Sequence, residues 1–204
     1  MFRSEKMAID VVHDTQEVFR EILHCMSRPG TIKSIAEVSE RLERKTFCQN
    51  ATFLSAMTLL DAEVGFHVVG ENAASNEELF SAYTLSKLTD LKEADYIFIM
   101  QDAEKLFIQD VFTQVKKGTL IDPQKSATVI IEVELLLNEQ HLTLEGPGIS
   151  NTESVKISAS KYWLNARAEA NKEYPLGVDM ILIDRQSNIM CLPRTTKIQD
   201  CEVS

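Results

Sequence analysis

The chain has 204 residues, 44 % hydrophobic and 25 % charged, with a formal net charge of −10. This is the composition of a globular protein long enough to bury a core of its own, and it predicts a single domain over 1–204. The acidic balance excludes broad nucleic-acid binding, which needs a basic stripe to displace counterions; a small anionic ligand fits only where a few cations are grouped locally.

The N-terminal stretch MFRSEKMAIDVVHDTQ carries no apolar h-region, so no signal peptide is expected and the cytoplasm is the expected location. Asp14-Thr15-Gln16-Glu17 reads as a capping box, with Val18, Phe19, Ile22, Leu23 and Met26 following at helical spacing. The spacing predicts a helix over 15–27. Pro29 ends it by pushing Arg28 out of helical dihedrals, and Pro29-Gly30 fits the centre of a type II turn. A short strand follows at 31–36. Asn50 is the expected cap of a helix through Leu60, and 64–69 reads as a strand. Ser75-Asn76-Glu77-Glu78 is a second capping box, opening a helix through Leu85. Tyr96 to Met100 is a continuous apolar run of the buried-strand kind, too short to span a membrane. A helix is expected over 103–115, with Gly118 beyond its lysine-rich end. Residues 128–135 and 141–145 read as a strand pair, and 155–158 as a weak strand. A helix over 160–171 precedes a hairpin of 178–183 and 189–192. Helices and strands alternate, and strand pairs enter late. That order predicts an α/β fold, a three-layer α/β/α sandwich around a mixed sheet.

Punctuation is concentrated. There are five prolines and seven glycines. Four of each fall in four stretches: Arg28-Pro29-Gly30, Gly146-Pro147-Gly148, Tyr174-Pro175-Leu176-Gly177 and Leu192-Pro193-Arg194. Three of these lie at strand ends, and ligands of open α/β sheets bind at the carboxyl ends of strands. Gly146 and Gly148 permit left-handed dihedrals and close approach of a ligand, although an ordinary turn uses the same residues. Arg194 offers a planar fork for phosphate or carboxylate, with Thr195 and Thr196 as hydroxyl donors; a surface arginine on a solvated edge is the equal alternative. Arg28 is a second cation, or a helix-end arginine complementing the dipole. Asp179 opens a predicted buried strand and could bond a ligand or a neighbouring element. Asp61 and Glu63 follow a helix, where paired acids are usually solvated.

The cysteines, Cys25, Cys48, Cys191 and Cys201, show no C-x-x-C spacing, and His13, His24, His67 and His141 no metal-binding spacing, so no metal site is expected. No P-loop, dinucleotide fingerprint or G-x-S-x-G is present.

Five strings in order carry a resemblance: FREILHCMSRPGTI (19–32), TLLDAEV (58–64), LEGPGI (144–149), YPLGVDMILID (174–184) and LPRTTKI (192–198). Together they closely resemble the PhnH family, the H subunit of bacterial carbon–phosphorus lyase, over residues 14–198. The resemblance implies a role in phosphonate use, with partner subunits of the G, I, J and L types. The expected product is a ribose 1-phosphonate 5-triphosphate made from a nucleoside triphosphate and a phosphonate. It also implies a homodimer and a fold like the large domain of pyridoxal-phosphate transferases, without the cofactor or its lysine. Cys25 stands where alanine is expected, and Tyr174 where phenylalanine is commoner. The resemblance brings no catalytic residue with it. Arg28, Gly146, Gly148, Asp179, Arg194 and Thr195 are therefore candidates for ligand or interface contact, and a purely structural assembly subunit is the second reading.

Overall fold

A computed structural model describes residues 10–42 and 46–201. Most of the N-terminal stretch scanned for a leader, and the last three residues, lie outside them. The first helix, α1 (Val11–Ser27), starts earlier than the capping-box pattern predicts. Asp10 is its cap: Oδ1 accepts from the N–H groups of Val12 and His13. Asp14 sits buried in the first turn, accepting from Asp10 N and from Arg41 Nη1, each at 2.9 Å. The carboxylate four residues upstream reaches the free N–H groups first, which leaves Asp14 to bind the arginine. The predicted stop holds. Thr31 N donates to Arg28 O at 3.1 Å and Gly30 has φ +89°, the geometry of a type II turn.

The remaining elements are β1 (Lys33–Ser34), α2 (Ala36–Ser39), α3 (Asn50–Leu59), β2 (Gly65–Val69), α4 (Ala73–Thr84), β3 (Lys87–Leu88), β4 (Tyr96–Ile99), α5 (Lys105–Gln114), β5 (Thr128–Val133), β6 (Leu136–Glu145), β7 (Glu153–Ile157), α6 (Leu164–Ala170), β8 (Asp179–Asp184), β9 (Asn188–Leu192) and β10 (Lys197–Asp200). Asn50 is the first helical residue of α3 rather than its cap; its Nδ2 donates to Ser39 O. The second capping box lies inside α4, which begins two residues before it.

Seven strands form the main sheet in the order β1-β9-β8-β5-β4-β2-β3. From β3 to β8 all neighbours are parallel; β9 and β1 add antiparallel pairs at one edge. The sheet is mixed, as predicted. The expected pairing of 128–135 with 141–145 does not form. β5 is buried on both faces and is flanked by β4 and β8, so it has no free edge for β6. At Glu134 and Leu135 the chain turns away, with both N–H groups donating to Ser158 Oγ. β6 instead lies between β10 and β7 in a three-stranded antiparallel sheet.

Period-two alternation divides the core. Phe66, Val68, Phe98, Ile130, Ile181 and Cys191 face Val18, Ile22, Phe53, Leu54 and Phe80 of α1, α3 and α4. Ile97, Ile99, Val129, Ile131, Met180 and Leu182 face the other way, toward α5, Trp163 and the apolar side of the smaller sheet. One outer layer is thus helical, and the other combines helices with a sheet. Among the described residues, no helix is long and apolar enough to cross a membrane.

Candidate functional site

β9 runs antiparallel to β8, with Leu192 opposite Met180. Its exit, Pro193-Arg194, therefore emerges beside Asp179, at the amino end of the parallel strands. Tyr174 to Gly177 feeds β8 at the same end. The punctuated stretches gather at the amino edge and not at the carboxyl edge that α/β topology suggested.

They meet through backbone. Gly146 has φ +137°, and a Cβ there would lie 2.9 Å from Thr195 O. Gly148 has φ +87°, and a Cβ there would strike Ser27 O and come within 2.9 Å of Pro29 Cδ. The turn at Arg28 thus touches Gly148, Gly146 touches Thr195, and Arg194 touches Asp179 and Pro175. Both glycines are needed for close chain packing. Of the sequence candidates, Arg194 and Thr195 line a groove of about 880 Å³, whereas Arg28, Gly146, Gly148 and Asp179 do not. Arg28 lies exposed, with Nη1 3.2 Å from the His24 ring.

The Arg194 guanidinium is engaged by its own chain. Nε and Nη2 donate to the Asp179 carboxylate at 3.3 and 2.6 Å, and Arg194 N donates to Asp179 Oδ1 at 2.7 Å. Nη1 donates to Pro123 O at 2.8 Å and reaches Pro175 O at 3.4 Å; Nη2 also donates to Ser126 Oγ. One fork ties the loops before β5, before β8 and after β9. An aspartate at the first position of β8 and an arginine two residues past β9 face each other because the hairpin between those strands is regular.

Sequence reasoning missed Arg167. It lies on α6, is only 4 % exposed, and donates from Nη2 to Pro193 O at 2.7 Å and from Nη1 to Thr196 O at 3.2 Å. Among the described residues, Nε has no hydrogen-bond partner, nor does the buried Thr196 Oγ1. Burial lowers the Arg167 pKa to about 10, against the opposing effect of the Asp179 charge. A signal for it was present. Trp163, Arg167 and Ala170 follow at helical spacing, and an arginine on an apolar stripe is seldom decoration. Lys161, Lys172, Lys197, Asn165 and the 77 %-exposed Tyr174 line the same groove, with Asp200 as its acid.

The carboxyl ends of the strands have the opposite character. The chain leaves β2 toward β3 and leaves β4 toward β5, which puts the topological switch point between β2 and β4. Asp102 fills that crevice. It accepts from Glu71 N and Asn72 Nδ2, and a Cβ on Gly70 would lie 2.5 Å from its Oδ1. Beside it the buried Glu132 accepts from Gln49 N at 2.7 Å and Gln101 N at 3.1 Å. Burial pushes its carboxyl above the usual carboxylate range, against those two bonds. Asp184, fully buried, accepts from the backbone N–H groups of Leu136, Gln186 and Asn188 and from Asn188 Nδ2. A second cavity, of about 770 Å³, is bounded here by Phe47, Gln49, Asn50 and Arg185. Arg185 Nε donates to Gln101 Oε1. Asp61 lies at the other end, just before β2, where it accepts from Glu63 N and Val64 N and closes a turn. The buried Glu132 and Asp184, with the partly exposed Asp102, make the carboxyl end poor for an anion. The guanidinium and lysine groups make the amino-end groove the candidate site.

The family model described as bacterial phosphonate metabolism protein (PhnH) matches residues 7–199. A Rhizobium meliloti (strain 1021) protein named alpha-D-ribose 1-methylphosphonate 5-triphosphate synthase subunit PhnH is 31 % identical over 193 residues, covering 93 % of this chain and 92 % of the relative. A Stutzerimonas stutzeri protein named putative C-P lyase subunit protein HtxG is 29 % identical over 184 residues, covering 90 % and 85 %.

Proposed function

This chain belongs to the PhnH family of bacterial phosphonate metabolism proteins, and from that premise we propose that it works as a subunit of the carbon–phosphorus lyase system. In this role it acts with partner subunits to form a ribose 1-methylphosphonate 5-triphosphate from ATP and a phosphonate. The reading rests on one observation: two relatives that align along nearly their full length are both named as subunits. The likeness is therefore to the whole protein and not to one module.

The geometry supports shared action. Arg194 and Asp179 brace three loops and hold the wall of the cationic groove, leaving ligand contact to the side chains around them. α1 exposes Val12, Phe19 and Leu23 on one flank, at positions i, i+7 and i+11. We assign that flank to subunit contact, either in a homodimer or with a G-, I-, J- or L-type partner, because aligned exposed apolar side chains are what an interface uses. The α/β sandwich serves, on this reading, as a large-domain fold of pyridoxal-phosphate transferases used without cofactor. The alternative, a purely structural subunit, draws support from the Arg194 fork, which faces its own chain.

Reconstitution tests the choice. The partner subunits are purified with and without this chain, and turnover of ATP with methylphosphonate is measured. Turnover that requires the chain supports the synthase role. Full turnover without it defeats that role, and complex assembly that fails without it leaves the structural one.

A further inference from the structure

We propose that the groove between α6 and residues 193–200 is a binding site for an oligophosphate chain, with Lys161 and Lys197 as its contacts and Arg167 as the fixed charge beneath its floor. This deepens the proposed function and rests on it for the identity of the physiological ligand. The site itself stands on the geometry.

The groove is a concentration of cations on an acidic protein. Arg167, Arg194, Lys161, Lys172 and Lys197 line it, with Asp200 as the sole acid among its lining residues. Their availability differs. Arg194 is neutralised by Asp179, and Lys172 reaches Glu169 at 3.5 Å. Lys161 Nζ lies over the Tyr162 ring, 5.2 Å from its centroid, and has no carboxylate partner among the described residues. Lys197 forms no ion pair among the described residues. Asn165 and Thr195 likewise present side-chain polar groups with no hydrogen bond among the described residues.

Arg167 closes two loop carbonyls with a full charge where a neutral donor would serve. Its bonded partners, Pro193 O and Thr196 O, are neutral carbonyls. Buried charge is normally paired with an opposite charge, since taking a cation out of water costs more than two carbonyls return. Here the charge lies under a concave surface, where the low-dielectric wall focuses its field outward. The unpartnered Nε of Arg167 and the unpartnered Oγ1 of Thr196 belong to the same floor. Asp179, already bonded to Arg194, gives Arg167 partial compensation, and a polyanion in the groove would add the rest. The volume of about 880 Å³ exceeds what a single phosphonate fills, and the exposed ring of Tyr174 at the rim gives a flat apolar face for an attached base.

Calorimetry on the intact chain, with sodium tripolyphosphate, ATP and methylphosphonate in separate titrations, decides the matter. Tripolyphosphate and ATP are expected to bind, and methylphosphonate at least tenfold more weakly. Lys161→Glu with Lys197→Glu should lower tripolyphosphate affinity at least tenfold with an unchanged melting temperature. Lys87→Glu with Lys92→Glu makes the same charge change around β3, the far edge of the sheet, and should alter affinity less than twofold. Tyr174→Ala should weaken ATP about threefold and leave tripolyphosphate alone. The site is disproved if neither polyphosphate binds, if the β3-edge pair loses as much affinity as the groove pair, or if methylphosphonate alone shows the lysine dependence. Polyphosphate binding without any contribution to reconstituted turnover would overturn the proposed function and keep the groove. Required turnover with an inert groove would do the reverse.

Discussion

Around β5 and β8, the two ends of the sheet solve the same problem with opposite charges. At the carboxyl end, loops leave the strands with N–H groups to satisfy, and buried carboxylates accept from them: Asp184 takes four donors and Glu132 two. At the amino end, loops present carbonyls, and buried guanidinium groups donate to them: Arg194 to Pro123 and Pro175, and Arg167 to Pro193 and Thr196. The difference shows how a chain of net charge −10 keeps one anion-friendly surface. Around β5 and β8, loop closure falls to acids at the carboxyl end and largely to arginines at the amino end, whereas before β2 and β4 the amino end uses Asp61 and Asp95 as acceptors.

Several substitutions would break or sharpen this contrast. The largest effect is expected at Asp184→Ala, which strands four donors. The cost should be about 4 kcal/mol, read from urea midpoints, given roughly 1–3 kcal/mol for each buried unsatisfied group and incomplete additivity. Asp184→Asn should recover little, because its amide NH₂ would confront a donor. Next comes Arg194→Ala, at about 3 kcal/mol, since it leaves Asp179 without its partner. Arg194→Lys keeps the charge but loses the fork and should cost about 1–2 kcal/mol. If Arg194→Ala leaves stability untouched, the brace at the amino end is wrong. Gly148→Ala should cost about 1–3 kcal/mol through its left-handed dihedrals and the approach to Ser27 O.

The smallest effect concerns pH. The Glu132 carboxyl titrates above its unfolded value because it is buried. Its protonated form therefore favours the folded state. The stability it contributes is fully present below the unfolded glutamate value, about 4.3, and is lost as pH rises through the raised folded value. Glu132→Gln should flatten that decline in a urea-midpoint series against pH. An identical slope in the variant would mean that some other group carries it.

Local chemistry was legible wherever it acts within a few residues. Pro29 ends α1 and Gly30 completes the turn because both constrain their own dihedrals. The buried strand at Tyr96 and the hairpin of β8 and β9 were readable from apolar runs and a polar turn. The cap of α1 was misread because either of two aspartates four residues apart could open the helix, and the chain opens it at Asp10, whose carboxylate takes the N–H groups of Val12 and His13. Arg194 and Thr195 could be singled out by their proline, but not the direction of the guanidinium.

The sequence by itself determined an α/β protein with a mixed sheet, its punctuation points and, through five ordered strings, its family. Only the tertiary structure decided that β5 and β6 enter different sheets, that β9 delivers Arg194 to the amino edge, and that Arg167 lies beneath a groove. Dihedral preferences and hydrophobic period are properties of neighbouring residues. Which strand edges remain free to pair, and which charges end up facing one another, depend on elements far apart in the chain meeting in space, as Arg194 and Pro123 do across 71 residues.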